Sequence, residues 1–115
     1  MNCRRGEIVL VLFPDSNLRT SKRRPALIVQ ADALGADLQQ TVVAMITSNM
    51  ARAGHPSRVI VRLGAQATEG SGLLMDSIIM TDNLATIHHS EVDQVIGTLG
   101  VMTEVDAALR TTLAL

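Results

Sequence analysis

Residues 21–30 read Ser-Lys-Arg-Arg-Pro-Ala-Leu-Ile-Val-Gln, a basic run that turns at Pro25 into an apolar one. Pro25 biases Arg24 to extended backbone and has no N–H of its own, so the pair marks the point where a flexible basic loop enters a rigid strand over Ala26 to Gln30. Similar stretches lie on either side: Ile8 to Phe13 before it, then Val42 to Ile46, Val59 to Val61, and Leu73 to Met80 broken by Asp76 and Ser77. All are rich in β-formers. Turn formers separate them, at Pro14-Asp15, Leu34-Gly35-Ala36-Asp37, Gly54-His55-Pro56-Ser57 and Gly70-Ser71-Gly72. Most of the strands are continuous rather than alternating. Both faces of their sheet are therefore covered, one by a core and the other by a helix or a second subunit. Leu84 to His88 and Val95 to Leu99 read as two further short strands, with residues 90–93 as a turn or a single helical turn between them. A helix over 91–99 stays open, because Gly97 disfavours it by only about 1 kcal/mol. The C-terminal helix is clearer: Thr103 is its N-cap, Glu104 and Asp106 occupy the first turn, and Val105, Ala108, Leu109 and Leu113 share a face. The fold class is mainly β, or α+β: a small, strongly bent antiparallel barrel or sheet with one late helix.

With 115 residues, 47% hydrophobic and 18% charged, the chain is expected to fold as a single domain over residues 1–115, burying roughly two-thirds of its unfolded surface. No apolar run approaches the ~18 residues of a membrane span, so the expected setting is cytoplasmic with no membrane contact. Cys3 is the one cysteine. It reads as a free thiol, since neither an internal disulfide nor a thiolate zinc site can be drawn from it. The net charge of −1 conceals a split: residues 1–62 carry nine basic side chains against four acids, and residues 63–115 carry Arg110 against seven acids. Such asymmetry is compatible with a basic face for a polyanion.

Arg24, planted at a strand entrance, offers a planar fork of donors that matches phosphate oxygens and can stabilise a pentacoordinate phosphorane. Thr47, Ser48 and Asn49 follow the strand 42–46 and cluster three small hydrogen-bonding side chains at its end. Asp76-Ser77 and Asp82-Asn83 add two carboxylates. His55 and His88-His89 lack the spacing of a helical metal site, so neither metal nor cofactor is expected.

Four segments in order resemble the MazF/PemK/Kid toxins of type II toxin-antitoxin systems: Arg5-Gly6-Glu7-Ile8-Val9, Arg24-Pro25-Ala26-Leu27-Ile28-Val29, Val43-Ala44-Met45-Ile46-Thr47-Ser48, and Asp76-Ser77-Ile78-Ile79 with Asp82-Asn83-Leu84-Ala85-Thr86-Ile87. The likeness extends to the ending Val105-Asp106-Ala107-Ala108-Leu109. It implies an SH3-like barrel of the CcdB/MazF/PemK type and a sequence-specific endoribonuclease that cuts single-stranded RNA. It also implies a homodimer neutralised by a cognate antitoxin. Arg24 falls on the family's active-site Arg and Thr47 on its active-site Thr or Ser. Asp82 falls on a carboxylate used in the Kid branch, where Met80 replaces that branch's catalytic Arg. The pattern is thus closer to a MazF site built on Arg and Thr.

Cleavage without a metal would use the RNA's own 2′-hydroxyl, so the protein supplies positioning, charge and proton transfer. With one Phe and no Tyr or Trp, base recognition would rest on hydrogen bonds and Arg planes rather than stacking. Its candidates are Asn17, Arg19, Lys22, Ser48, Asn49, Ser77 and Asn83. Two other readings fit the same fold: a CcdB-like poison that binds DNA gyrase, whose aromatic C-terminal contact this chain lacks, and a member that binds RNA or antitoxin without cutting.

Overall fold

The computed structural model describes residues 3–14, 21–34 and 38–115; Asn17 and Arg19, two of the candidate RNA contacts, lie outside the described residues. Six strands, β1 (Glu7–Pro14), β2 (Ser21–Ile28), β3 (Gln40–Thr47), β4 (Arg58–Val61), β5 (Ser77–His88) and β6 (Val92–Thr98), precede one helix, α1 (Thr103–Leu113). They form one sheet in the order β4-β5-β3-β2-β1-β6, and each neighbouring pair is antiparallel.

Strand alternation explains why continuous apolar runs were needed. Ile8, Leu27, Ala44, Ile46, Val59, Val61 and Ile79 point to one face, where Val105 and Ala108 of α1 and the preceding Leu99 close over them. The intervening residues Val9, Val11, Ala26, Ile28, Val43, Met45, Ile78 and Met80 form a second cluster with Ile87 and Val92. Val92 of the edge strand β6, paired with Val11, and Met80 of β5 belong to this same cluster. Cys3 is a free thiol packed against this second cluster, and burial pushes its pKa up.

The basic run is not a loop. β2 begins at Ser21, with Arg23 opposite Leu12 and Arg24 opposite Val11. Pro25 is tolerated inside the strand because pairing with β3 starts only at Ala26, leaving β1 as the sole neighbour before it. The strand also ends early: the N–H groups of Val29 and Gln30 both donate to the carbonyl of Val42, at 3.1 and 3.3 Å, which breaks the ladder.

The two short strands expected over 73–80 and 84–88 are one strand. Ala44 pairs with Leu84 and Met45 with Met80, so Thr81, Asp82 and Asn83 bulge out of β5 opposite a single step of β3. Buried Thr81 ties the bulge down, donating to the Ser57 carbonyl at 2.6 Å and sharing a hydrogen bond with Thr112 of α1. Leu73 to Asp76 lie outside any strand.

Residues 92–98 are strand rather than helix. A Cβ on Gly97 would collide with the backbone of Gly70 and Ser71, which cross it directly, so this glycine marks a close backbone approach. In α1 the cap is Met102 and Thr103 is the first helical residue, with no side-chain capping bond. Leu113 is half exposed, so the buried stripe of the helix is Val105 and Ala108, with Leu109 partly covered.

Candidate active site

Arg24 and Thr47 lie on the same face of the sheet as Ala26 and Met45, one step beyond the point where β2 and β3 cease to pair. There the strands separate, and the gap is a cavity of about 410 Å³ lined by Arg24, Thr47, Arg52, Met80, Asn83 and Ala85, among others. Its lining is mixed: two guanidinium groups, a hydroxyl and an amide stand beside the apolar side chains of Met45, Ile46, Met80 and Ala85.

Each polar group has a structural reason for its place. Arg24 is exposed, and among the described residues no carboxylate pairs with it, whereas its neighbour Arg23 pairs with Asp93 at 3.2 Å. Thr47 accepts a hydrogen bond from the backbone N–H of Asn49 at 3.1 Å, which leaves the hydroxyl hydrogen free to donate. Asn49 in turn caps the single helical turn Met50–Arg52, its Oδ1 accepting from the N–H of Ala51 at 3.1 Å. That turn swings Arg52 back over the cavity. The bulge in β5 brings Asn83 to the cavity wall.

Asp82, the adjacent bulge residue, is not among the cavity-lining residues. Its two carboxylate oxygens accept from Nε and Nη2 of Arg58 at 3.3 and 2.9 Å. The Arg58 hydrogen bonds hold its carboxyl below the usual carboxylate range. A carboxylate held this way is a weak base at neutral pH.

Ser48 and Ser77 line a second, apolar cavity of about 460 Å³ beside the first, together with Pro25, Leu73, Met75 and Ile96. Ser77 is buried and its hydroxyl donates to the Met75 carbonyl at 2.8 Å. Lys22 is a backbone position of β2 opposite Phe13. The structure therefore gathers Arg24, Thr47 and Asn83 at one site, puts Ser48 and Asn49 at its edge, and sets Ser77 and Asp82 apart from it. Sequence reasoning passed over Arg52 and Arg58. The signal for Arg52 was the Asn49 cap, which implies a helical turn placing the third residue after it back toward Thr47.

Residues 4–113 match the family model described as the PemK-like, MazF-like toxin of type II toxin-antitoxin systems. The chain belongs to this toxin family. Among curated relatives, Endoribonuclease MazF2 of Mycobacterium bovis and Endoribonuclease MazF6 of Mycobacterium tuberculosis are each 36% identical over 107 residues, covering 90% of both chains. Solved structures share the fold of this MazF-like toxin. A mycobacterial endoribonuclease in complex with its cognate antitoxin superposes with a TM-score of 0.76 at 22% identity, covering 98% of this chain and 96% of that one. MazF of a MazE–MazF complex from Deinococcus radiodurans gives 0.73 at 19%, covering 100% and 99%. The gyrase-poison alternative is not favoured by these matches. No helix among the described residues of the toxin is long and apolar enough to cross a membrane.

Proposed function

We propose that this toxin is an endoribonuclease that cuts single-stranded RNA at the Arg24–Thr47 cavity, by attack of the RNA's own 2′-hydroxyl and without a metal. The observation that carries this reading is the composition of the cavity rim. An arginine fork with no carboxylate partner among the described residues and a hydroxyl with a free hydrogen converge where two strands part, and no carboxylate stands among the rim residues.

In this mechanism O2′ attacks the adjacent phosphorus and the P–O5′ bond breaks, leaving a 2′,3′-cyclic phosphate and a 5′-hydroxyl. The proton leaves O2′ for solvent, and O5′ gains one. Arg24 stabilises the additional negative charge of the phosphorane and donates to the leaving O5′; a guanidinium, always charged, is no general base. Thr47 donates to a non-bridging oxygen. Asn83, Ser48 and Asn49 are the base-recognition candidates within reach of this rim; Asn17, Arg19 and Lys22 keep their assignment as RNA contacts on their place in the sequence alone, and Ser77, buried and bonded to the Met75 carbonyl, does not. We place Asp82 outside the proton path, because Arg58 holds both its oxygens.

The family supports a cognate antitoxin as partner, a homodimer as the working form and the cytoplasm as its location. One domain, residues 1–115, carries the activity.

The decisive substrate is an RNA with a single 2′-deoxy nucleotide on the 5′ side of a mapped cut. It should bind as the all-ribose RNA does and resist cleavage at that position alone; cutting there at the normal rate would refute the internal nucleophile. Thr47→Val should slow cleavage by roughly ten- to a hundredfold, the size of one hydrogen bond to a charged oxygen. Single-turnover rates on a 5′-labelled RNA measure it, and Thr47→Ser should recover most of the loss.

A further inference from the structure

Arg24 and Arg52 line the cavity, and the structure joins Arg52 to Arg58 and Asp82, which do not line it, in a chain. Asp82 holds Arg58 through both carboxylate oxygens. Arg58, with Nε and Nη2 committed to Asp82, donates Nη1 to the backbone carbonyl of Arg52 at 3.0 Å. Arg52 then sits at the C-terminal end of the Met50–Arg52 turn with its side chain exposed, at the cavity that Arg24 also lines. Among the described residues, no carboxylate pairs with the side chain of Arg52 or of Arg24.

We propose that Arg52 is a second phosphate-binding residue of the site, and that Arg58 and Asp82 are positioning residues that brace it. The inference rests on the RNA-cleaving reading above and names what the substrate meets beside Arg24. A polyanionic strand lying across the cavity places successive phosphates several ångströms apart. Two guanidinium groups lining one cavity match such a strand better than a single phosphate. The brace answers an entropic problem. An exposed arginine on a short loop turn samples many positions, and pinning its carbonyl to a strand through a bidentate ion pair removes part of that freedom before RNA arrives. It also gives Asp82 a role compatible with its geometry. A carboxylate acting as general base needs an oxygen facing the substrate, whereas both oxygens here face Arg58.

The test compares Arg52→Ala, Arg58→Gln, Asp82→Asn and the double variant Arg52→Ala/Asp82→Asn with the wild type. Two readouts are needed: single-turnover cutting of RNA, and binding of the 2′-deoxy-blocked RNA across a salt series. Arg52→Ala should weaken binding about fivefold and flatten the slope of log affinity against log salt by about 0.7, the loss of one phosphate contact to a single strand. Arg52→Lys keeps the charge and should restore that slope. Arg58→Gln and Asp82→Asn should each weaken binding about threefold, Asp82→Glu should rescue, and the double variant should be no worse than Arg52→Ala. The pH profile of Asp82→Asn should run parallel to that of the wild type. Its carboxyl titrates below the usual carboxylate range, so the brace is present above that range and is lost only as pH falls through the lowered value.

Arg52→Ala indistinguishable from wild type in affinity and slope overturns the proposal. So does a double variant that loses the full Asp82→Asn effect on top of Arg52→Ala, or an Asp82→Asn profile missing an acid limb that the wild type shows at or above the usual carboxylate range. Wild-type protein that cuts no RNA overturns the ribonuclease reading together with the brace, whereas wild-type cutting with a silent Arg52→Ala overturns the brace alone. Because Arg52 and Asp82 are exposed, folding of the variants is checked by Tm; should Asp82→Asn not fold, Arg52→Ala against Arg52→Lys still decides.

Discussion

Arg24→Ala is expected to slow RNA cutting by about 10³-fold or more while leaving Tm unchanged. The size follows from what the guanidinium does. It faces a phosphorane that carries one more negative charge than the ground-state phosphate, so its interaction is stronger in the transition state than before it. Groups that stabilise such charge are worth two to five orders of magnitude. The fold should be indifferent, because Arg24 is exposed and has no carboxylate partner among the described residues, and surface changes of that kind shift stability by about 0.5 kcal/mol or less. Arg24→Lys separates charge from geometry: it keeps the cation and loses the fork, and should recover only part of the rate. A cutting rate within tenfold of wild type for Arg24→Ala would remove Arg24 from the reaction.

The second large effect is structural. Gly97→Ala should lower stability by about 3 kcal/mol and Tm by on the order of 10 °C. The new methyl group would overlap the backbone of Gly70 and Ser71, and backbone atoms cannot rotate away as a side-chain tip can. The crossing is reinforced by Thr98, whose N–H donates to the Gly70 carbonyl at 2.9 Å, and Gly72 meets the backbone of Ile96 in the same way. Forcing it apart would also displace Leu73 to Met75, which line the apolar cavity beside the active site. Thermal unfolding followed by circular dichroism measures the effect. An unchanged Tm would mean that the two segments are not in the contact described.

The sheet was largely legible in the sequence because both its faces are buried. Val9 and Ile8 point to opposite clusters, as do Ala44 and Met45, so every strand had to be apolar throughout and stood out against the polar turns. Two boundaries were misplaced for the same reason: edges and irregularities carry no hydrophobic signal. Ser21 to Arg24 are strand because β1 pairs with them, although nothing in four polar residues announces it. Thr81 to Asn83 looked like a gap between strands, but the backbone runs on through a bulge held by Thr81 and Ser57. Tertiary pairing overrides local preference at both places.

The site was legible in part. Arg24 and Thr47 were marked by strand ends carrying small polar or basic residues, and Asn83 by its place beside Asp82. Sequence order put Asp82 and Asn83 together, yet consecutive bulge residues turn to different surroundings, one to Arg58 and the other to the cavity. Arg52 and Arg58 stood out in the sequence only as two of nine basic residues in the first 62. Their relation to Asp82 depends on a hydrogen bond between positions 24 apart, which no local pattern encodes.

One measurement bears most directly on the central claim. Purified toxin is incubated with a long RNA in excess EDTA, and both ends of each cut are analysed chemically. The account predicts that cutting proceeds at the rate seen with magnesium, leaving 5′-hydroxyl ends that a kinase labels without prior phosphatase and 2′,3′-cyclic phosphates on the opposite side. Cutting that stops in EDTA and returns with magnesium, or fragments bearing 5′-phosphates, would contradict it.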